Sequence, residues 1–460
     1  MQLLKLFLTR LCFSLHSASA ALAARSALTR AALAARLALT CAALAARPAL
    51  TSAALAARPA LTIALISAII LPQFICARPV DNALDLARLD LELKGIMATA
   101  QTPALTLGIV ANGQVVLTRS LGTTTVSGTQ PIDANTRFRL ASVSKSISAA
   151  LIGKFVNQGY LQWDTPVALL VPSFKLKDPN SAFMTVEQLL SHRTGLTHHA
   201  LDNIVEASNT FEPIRALLPS IKAECAVGTC FAYQNVTYSY AADISYAASG
   251  QFFANALRRE LFEPLGMSRA NLGMESLSED ENWARPHKRH WPKNVQTDVK
   301  PNYYWLDAAA GINASVSDME QYVLALLGNK PQVLPTEVIT KLTTQQIATP
   351  GEIYGPPWRR ARLLSAGYGL GMRLFNYSGH PIWFHAGAVA GYRGMIVGLP
   401  EKNAGLVLMW NSETNLPTGL VPTLLDRWLN KPEHDWLELH RYQPKPSRSV
   451  LPSRSVRRRR

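Results

Sequence analysis

Acidic residues are missing from both ends of this 460-residue sequence. Residues 1–80 contain eight lysines and arginines, residues 444–460 contain seven, and neither segment contains an aspartate or a glutamate. These two segments account for the whole net charge of +15, because residues 81–443 contain 31 basic and 31 acidic residues. The basic excess is confined to the ends, so it gives no support for a core that binds nucleic acid.

No apolar run reaches the length of about 18 residues that a membrane-spanning helix needs. The run from Ala60 to Leu71 has 12 residues, and it begins within the last of four copies of the unit Ala-Leu-Ala-Ala-Arg-x-Ala-Leu-Thr-x-Ala at residues 21–64. A run of this length suits the hydrophobic part of a secretory signal. We therefore interpret residues 1–80 as a targeting leader for export to the periplasm, with cleavage near Ala77. An organelle transit peptide and a retained membrane anchor are the alternatives, and we expect membrane contact only through an uncleaved leader.

Cysteine is scarce. Three of the five cysteines, Cys12, Cys41 and Cys76, lie in the leader. Cys225 and Cys230 remain in the core, with four residues between them. In an exported protein this pair can form a disulfide, while two reduced thiols are an equally good interpretation.

The sequence contains no Gly-x-Ser-x-Gly, which excludes the nucleophile turn of the common α/β-hydrolases. It contains instead a Ser-x-x-Lys pair, Ser142 and Lys145, at the mouth of an apolar helix that is predicted to run to about Asn157. Residues three apart share one face of a helix, so the Ser142 hydroxyl and the Lys145 amine can come within hydrogen-bond distance. A lysine can take the proton of a serine only if burial or a neighbouring cation lowers the pKa of the amine. The pair predicts a nucleophile beside a base.

Two later segments supply candidate partners for this pair. Tyr233-Gln-Asn235 offers a phenol that can act as the working base and an amide that can hold a substrate carbonyl. His385-Ala-Gly387 stands at the end of a predicted strand, where small residues let the backbone approach a ligand closely. The N–H of Ala388 could then pair with that of Ser142 as an oxyanion hole. Each segment taken alone is more often structural than catalytic.

Together, and in this order along the chain, the motifs support a catalytic interpretation more strongly than each does alone. Ser-x-x-Lys, Tyr-x-Asn and His-x-Gly, with Leu-Leu-Ser-His-Arg-Thr-Gly-Leu at 189–196 and Ala-Gly-Ile-Asn-Ala-Ser at 310–315, resemble the serine β-lactamase and penicillin-binding superfamily. The similarity is to its class C-like branch, which includes β-lactamases, D-alanyl-D-alanine peptidases and related esterases, and it covers roughly residues 85–430. The resemblance implies acylation of Ser142, with Lys145 and Tyr233 moving protons and Asn235 orienting the substrate. It implies no metal and no cofactor.

One motif departs from this pattern. Where many relatives that act on β-lactams have Lys-Thr-Gly, this chain has His385-Ala-Gly387. Lysine is a fixed positive charge for a substrate carboxylate, whereas a histidine with an ordinary pKa of ~6.5 is mostly neutral at pH 7. The departure weakens the expectation of an efficient β-lactamase and leaves room for ester or peptide substrates.

The hydrophobic pattern predicts an α/β (α+β) fold, with one antiparallel sheet built from both ends of the core and flanked by helices. Residues 160–310 are interpreted as a mostly helical insert, and a small substrate would bind between insert and sheet. Asn112-Gly113 predicts a hairpin turn, and Thr185-Val-Glu-Gln188 and Ser317-Asp-Met-Glu320 predict helix starts. His198-His199 and His287 with His290 lack the spacing of a helical zinc pair and are interpreted as loop residues. The predicted strands are 104–110, 114–121, 368–374, 381–385, 392–399 and 406–410, and the helices include 82–98 and 420–429.

These observations divide the chain into a leader (1–80), a β-lactamase-like domain (81–443) and a disordered basic tail (444–460). We expect an exported serine hydrolase that acts through a Ser142 acyl-enzyme on a β-lactam or D-Ala-D-Ala-like amide, that is, on a small-molecule or peptidoglycan-like substrate. A carboxylesterase or acyl transferase of the same fold is one alternative, and a non-catalytic scaffold protein is another. The sequence leaves the oligomeric state open.

Overall fold

The computed structural model describes residues 84–207, 212–290 and 293–439. The leader with its repeats, the expected cleavage site near Ala77 and the basic tail lie outside these ranges, so they stay predictions. In the described ranges, no helix is both long enough and apolar enough to cross a membrane.

An eight-stranded antiparallel sheet forms the centre of the described chain. Its outer strands on one side come from the N-terminal hairpin, and the others come from the C-terminal part of the chain. In spatial order, with numbers that follow the chain, the strands are β2 (Gln114–Gly122), β1 (Ala104–Ala111), β13 (Ala404–Trp410), β12 (Tyr392–Leu399), β11 (His380–Val389), β10 (Arg373–Tyr377), β9 (Leu363–Tyr368) and β8 (Ile347–Ala348). The prediction that both ends of the core build one antiparallel sheet is confirmed.

Two smaller sheets lie in the chain between these strands. One has the order β3 (Phe138–Arg139), β7 (Ile312–Ala314), β4 (Asn271–Leu272), and the other is a hairpin of β5 (His287–His290) and β6 (Lys293–Gln296). The hairpin corrects the interpretation of His287 and His290 as loop residues. His287 is fully buried, and its Nε2 accepts a 3.1 Å hydrogen bond from the Val126 N–H, a long-range contact without a local sequence signal.

Helices fill the rest of the described chain, and most of those between β3 and β8 are short. They are α1 (Leu86–Ala100), α2 (Ser144–Asn157), α3 (Val167–Leu170), α4 (Val186–Leu190), α5 (Asp202–Ala207), α6 (Glu212–Arg215), α7 (Tyr240–Ser249), α8 (Phe253–Leu257), α9 (Glu263–Leu265), α10 (Met274–Leu277), α11 (Asp307–Ala310), α12 (Val316–Leu326), α13 (Thr336–Leu342), α14 (Pro357–Arg362) and α15 (Leu420–Trp428). The 3₁₀ turns are Ala141–Val143, Pro179–Phe183, Leu218–Ser220, Asn302–Trp305, Pro350–Tyr354, Pro400–Lys402 and Leu416–Gly419, and Arg258–Phe262 is π-helical.

Apolar side chains cover both faces of the main sheet. Along β13, Leu406 and Leu408 pack in the cluster that contains α1 and α15, while Val407 and Met409 pack in the cluster that contains α2 and α12. This alternation is the period of two of a strand that is buried on both faces. Burial of each of these side chains contributes ~2 kcal/mol to the free energy of unfolding. The main sheet is therefore a middle layer, with the terminal helices on one face and the central helix α2 with the helical insert on the other.

The helix starts follow their capping residues. Thr185 and Gln188 form the predicted capping box of α4, which confirms that prediction. At α12 the capping box is Ser315 with Asp318, two residues before the predicted pair Ser317-Asp-Met-Glu320. Both pairs have the same spacing, and the earlier pair prevails because the chain is already helical at Val316.

The predicted strand from Tyr368 to Leu374 is wrong. The chain turns there, and β9 ends at Tyr368 while β10 begins at Arg373. Gly369 N donates a 2.8 Å hydrogen bond to the Met372 carbonyl oxygen, and Gly371 has a φ of 68°. Alternating glycines resemble a strand pattern, but the positive φ is typical of a turn.

Candidate active site

The turn that carries Ser142 leads into the buried helix α2. Ala141, immediately before it, has a left-handed backbone with φ 49°. Such strain in a non-glycine residue is concentrated at functional sites. Gly387 of β11 packs against this turn, where a Cβ would lie 2.1 Å from the Leu140 carbonyl oxygen and 3.0 Å from the Ser142 nitrogen. The strand can approach the candidate nucleophile this closely only because residue 387 is glycine.

Lys145 is fully buried beside Ser142. Its Nζ lies 2.6 Å from Asn235 Oδ1, 3.2 Å from the Ala309 carbonyl oxygen and 3.4 Å from Ser142 Oγ. It also lies 4.7 Å from the centre of the Tyr233 ring. The structure therefore brings together the hydroxyl, the amine, the phenol and the amide that the sequence pointed to.

The surroundings of Lys145 make its amine easier to deprotonate than an exposed lysine. Burial lowers the pKa of Lys145, the Tyr233 phenol and Asp202 oppose this effect, and the positive charge of Arg373 adds to it. A lower pKa increases the share of neutral amine, and only the neutral amine can accept a proton from the Ser142 hydroxyl.

Asp202 of α5 fixes the orientation of Asn235. Its Oδ2 accepts a 2.6 Å hydrogen bond from Asn235 Nδ2 and lies 2.7 Å from His199 Nδ1. Because a carboxylate only accepts, the amide nitrogen of Asn235 faces Asp202 and the amide oxygen faces Lys145. Asn235 thus positions Lys145, and one amide hydrogen remains for a substrate carbonyl.

His198 and His199 lie in a loop, as expected, but both also line the cavity next to Ser142. His198 Nδ1 accepts a 3.0 Å hydrogen bond from the Tyr233 N–H, and the His199 N–H donates a 2.8 Å bond to the Tyr233 carbonyl oxygen. The two histidines therefore hold the Tyr233 backbone in place. Within the described ranges, no group of three His, Cys, Asp or Glu side chains is arranged to hold a metal ion.

His385 lies inside the protein, and its side chain is fully buried. Its Nδ1 lies 3.0 Å from the Ala386 carbonyl oxygen, and its Nε2 lies 3.3 Å from Tyr368 Oη. Burial lowers the pKa of His385 well below its ordinary value, and the charges of Arg373 and Lys145 act in the same direction. The ring is therefore neutral at pH 7, and both of its nitrogens are engaged within the protein.

A chain of hydrogen bonds connects the Tyr-x-Asn segment to the His-x-Gly segment. The Gln234 N–H donates to His192 Nδ1 at 3.1 Å, so the proton of the neutral His192 ring is on Nε2, which lies 3.1 Å from Tyr368 Oη. The Tyr368 hydroxyl can then donate to His385 Nε2, and His385 Nδ1–H to the Ala386 carbonyl. Burial lowers the pKa of His192 well below its ordinary value, which keeps this ring neutral too. These hydrogen bonds indicate that His385 is a structural residue that supports β11.

Ala388, the other candidate on β11, is exposed and lines the cavity together with Ser142, Tyr233 and Asn235. The cavity has a volume of about 850 Å³, which is within the range of sites for small molecules and short peptides. Five cationic side chains and four carboxylates line its wall. The cations are Arg139, Lys288, Lys300, Arg373 and Arg393.

Cys225 and Cys230 form a disulfide, which settles the choice that the sequence left open. The bridged loop is anchored by the Glu224 N–H, which donates a 2.8 Å hydrogen bond to the Gly195 carbonyl oxygen. Phe231, directly after the loop, packs its ring 5.2 Å from that of Tyr368. The disulfide therefore stabilises the segment that leads into Tyr233.

Sequence reasoning missed Asp202, Arg373 and the role of His192. His192 is part of the Leu-Leu-Ser-His-Arg-Thr-Gly-Leu segment that contributed to the resemblance, so this segment was the one available signal. Asp202 and Arg373 reach the cavity from α5 and β10 through tertiary packing, and no local motif marks them.

Comparison with known proteins assigns the architecture to a family. The family model described as Beta-lactamase matches residues 89–427, from α1 to α15. The chain belongs to the beta-lactamase family. This membership confirms the resemblance inferred from the ordered motifs, and the antiparallel sheet with its flanking helices confirms the predicted fold class.

Several proteins related to this beta-lactamase family member carry the names of hydrolases. The unguisins hydrolase ungD of Aspergillus violaceofuscus is 26% identical over 366 residues, covering 73% of this chain and 64% of the relative. The D-aminopeptidase of Gluconobacter oxydans is 21% identical over 341 residues, covering 71% and 59%. This chain spans less than two thirds of the length of these curated relatives.

Among solved structures, the family member is similar to the octameric penicillin-binding protein homologue from Pyrococcus abyssi. The two chains superpose with a TM-score of 0.67 at 25% identity, covering 76% of this chain and 78% of the other. The similarity extends over most of the part of the chain that the structure describes.

Proposed function

We propose that this protein is a serine hydrolase that cleaves an amide bond through an acyl-enzyme on Ser142. The observation that carries the proposal is the 3.4 Å distance between the buried Lys145 Nζ and Ser142 Oγ, in a cavity that Tyr233 also lines. Family membership supports hydrolysis, and the names of the D-aminopeptidase and unguisins hydrolase relatives favour an amide in a small peptide or peptide-like molecule.

In the proposed first step, Ser142 Oγ attacks the amide carbonyl carbon and its proton passes to the neutral amine of Lys145. The Tyr233 hydroxyl gives its proton to the leaving nitrogen as the C–N bond breaks, and Lys145 returns a proton to Tyr233. The N–H groups of Ser142 and Ala388 would stabilise the negative charge on the carbonyl oxygen. Water then cleaves the Ser142 ester, and its proton restores the serine.

The amide could belong to a β-lactam or to a D-Ala-D-Ala-like peptide. An ester is the second candidate substrate class, and the observation that favours it is the neutral, buried His385 at the position where a lysine would be a fixed cation. Ester cleavage would use the same Ser142 chemistry, but it does not need a protonated leaving nitrogen.

We also propose that the protein is exported. The Cys225–Cys230 disulfide supports this location, because disulfides persist in oxidising compartments and are rare in the cytosol.

The mass of the intact protein tests the proposed function. The full-length protein is incubated separately with a penicillin, a chromogenic cephalosporin and a short-chain nitrophenyl ester. We expect at least one reagent to add its acyl group to the wild-type protein and none to add it to Ser142→Ala. An adduct that persists in Ser142→Ala, or no adduct with any reagent, would refute the mechanism, and the reagent that reacts identifies the substrate class.

A further inference from the structure

Hydrolysis of the Ser142 ester needs a proton acceptor that water can reach. In the proposed first step Lys145 returns a proton to Tyr233, so the phenol holds its proton again once the ester has formed. Lys145 is fully buried, and its Nζ lies 2.6 Å from Asn235 Oδ1 and 3.2 Å from the Ala309 carbonyl oxygen. The attacking water therefore needs a base on the open wall of the cavity.

Two exposed histidines, His198 and His199, are on that wall. His198 Nδ1 accepts a 3.0 Å hydrogen bond from the Tyr233 N–H, so the proton of its neutral ring is on Nε2 and no lone pair remains. His199 Nδ1 lies 2.7 Å from Asp202 Oδ2 and donates to it, because a carboxylate only accepts. The neutral His199 ring therefore has a lone pair on Nε2. In the described part of the chain, no group donates a hydrogen bond to this nitrogen.

The backbone bends sharply where it brings His199 and Asp202 together. His199 and Leu201 both have a left-handed backbone, with φ of 56° and 69°, and the Asp202 N–H donates a 3.0 Å hydrogen bond to the His199 carbonyl oxygen. Such strain outside glycine is concentrated at functional sites. A carboxylate that fixes the tautomer and the direction of an imidazole prepares its other nitrogen to accept a proton. Asp202 is thus a positioning residue for His199 as well as for Asn235.

His199 contacts the same tyrosine ring as the amine beside the nucleophile. The ring centres of His199 and Tyr233 are 5.4 Å apart. Lys145 Nζ lies 4.7 Å from the Tyr233 ring centre and 3.4 Å from Ser142 Oγ. The His199 side chain is 56% exposed, and it lines one cavity with Ser142. A base that acts on water needs contact with that water and not with the ester, so His199 can serve a water that attacks from the cavity.

We propose that His199 is the general base of deacylation, the step in which water releases the product from Ser142. This proposal rests on the proposed acyl-enzyme function and assigns its second step to a residue outside the ordered motifs. His199 Nε2 takes a proton from water while the water oxygen bonds to the ester carbon. The bond between that carbon and Ser142 Oγ then breaks, and the proton passes from Nε2 to Oγ through water in the cavity. The product is a carboxylic acid, and both side chains return to their starting forms.

The lifetime of the acyl-enzyme tests this proposal. Full-length wild type and His199→Gln are loaded with the penicillin, the cephalosporin or the nitrophenyl ester, excess reagent is removed, and the intact mass is followed over time. Glutamine keeps a donor for Asp202 but has no basic nitrogen. We expect the adduct to form at a rate close to that of the wild type and to decay about 100- to 10,000-fold more slowly, the usual contribution of a positioned base. His290→Gln, which replaces an exposed histidine of β5, is the matched control and should decay at the wild-type rate.

A stronger nucleophile distinguishes the loss of a base from a distorted site. Hydroxylamine attacks an ester through its neutral amine and depends less on a base than water does. It should therefore remove the acyl group from the wild type and from His199→Gln at similar rates. If formation of the adduct and its removal by hydroxylamine are both as slow in His199→Gln as its hydrolysis, His199 is a structural residue and the catalytic role is overturned.

The remaining outcomes separate this proposal from the proposed function. Equal decay of the adduct in the wild type and in His199→Gln would overturn the role of His199 and leave the acyl-enzyme in place. A slow decay in His198→Gln, Glu206→Gln or Glu413→Gln, with a normal decay in His199→Gln, would place the base elsewhere on the cavity wall and overturn the proposal as well. The absence of any adduct in the wild type would instead refute the acyl-enzyme function, and the deacylation step with it.

Discussion

Replacing Glu320 with glutamine should stabilise the protein at alkaline pH and leave its stability unchanged at acidic pH. Glu320 of α12 is 3% exposed and lies beneath the N-terminal hairpin, where Thr118 Oγ1 donates a 2.6 Å hydrogen bond to its Oε1. Gly108 of β1 leaves room for it, because a Cβ there would lie 2.6 Å from the same oxygen. In the described ranges no cation is paired with this carboxylate.

The expected size of the effect follows from the pKa of Glu320. Burial raises this pKa from 4.5 to about 7, while the Thr118 hydrogen bond opposes the shift. The folded protein therefore binds more protons than the unfolded chain between these two values, so stability falls as the pH rises through this interval and is constant above it. With about 1.4 kcal/mol for each pKa unit, ionisation of Glu320 costs on the order of 3 kcal/mol. Glutamine keeps the acceptor for Thr118 and removes this cost.

Urea unfolding of the wild type and Glu320→Gln at pH 5, 7 and 9 tests this reasoning. The variant should gain little at pH 5 and about 3 kcal/mol at pH 9. The other titrating groups are the same in both proteins, so they cancel in the difference. Glu337→Gln, at an exposed position of α13, is the matched control, and it should gain less stability at pH 9 than Glu320→Gln. A constant difference for Glu320→Gln, or a loss of stability at pH 9, would refute the proposed burial cost.

Three further variants test the candidate site and the disulfide loop that leads into it. Gly387→Ala should lower kcat by about 100-fold or more, because its Cβ would lie 2.1 Å from a backbone oxygen and displace the turn of the nucleophile; a wild-type kcat would contradict the close approach. Asp202→Asn should lower kcat/KM by about 10- to 100-fold while the protein stays folded, because the charge-assisted bond that orients Asn235 is lost; equal kinetics would show that this orientation is unimportant. Cys225→Ser combined with Cys230→Ser should lower the free energy of unfolding by about 2 kcal/mol, the entropy of closing so short a loop; unfolding curves that superpose on those of the wild type would contradict this.

Local signals in the sequence predicted much of the fold. The Asn112-Gly113 turn marked the first hairpin, and both residues have the positive φ that such a turn requires. The strand at Tyr392–Leu399 matches its prediction at both ends. The prediction failed at 368–374, where alternating glycines suggested one strand although Gly371 turns the chain. It also missed the hairpin of β5 and β6, which depends on contacts with distant segments.

In the candidate site, too, local signals were sufficient for some residues, whereas others depend on contacts between distant segments. Ser142 and Lys145 could be paired from their spacing on one helix, and Tyr233 and Asn235 from their order relative to that pair. Arg373 could not be found in this way, because it approaches Tyr233 through the pairing of β10 with β11. Local motifs give the reacting groups, whereas tertiary packing gives the charges around them.

The proposed chemistry depends on activation of Ser142 by the buried amine of Lys145. Its most direct test is the rate at which the Ser142 acyl adduct accumulates, followed by intact mass in the wild type and in Lys145→Met, which keeps a side chain of similar length without an amine. We expect acylation to slow by about 100- to 10,000-fold in Lys145→Met, the usual contribution of a positioned base. Acylation of Lys145→Met at the wild-type rate would contradict it.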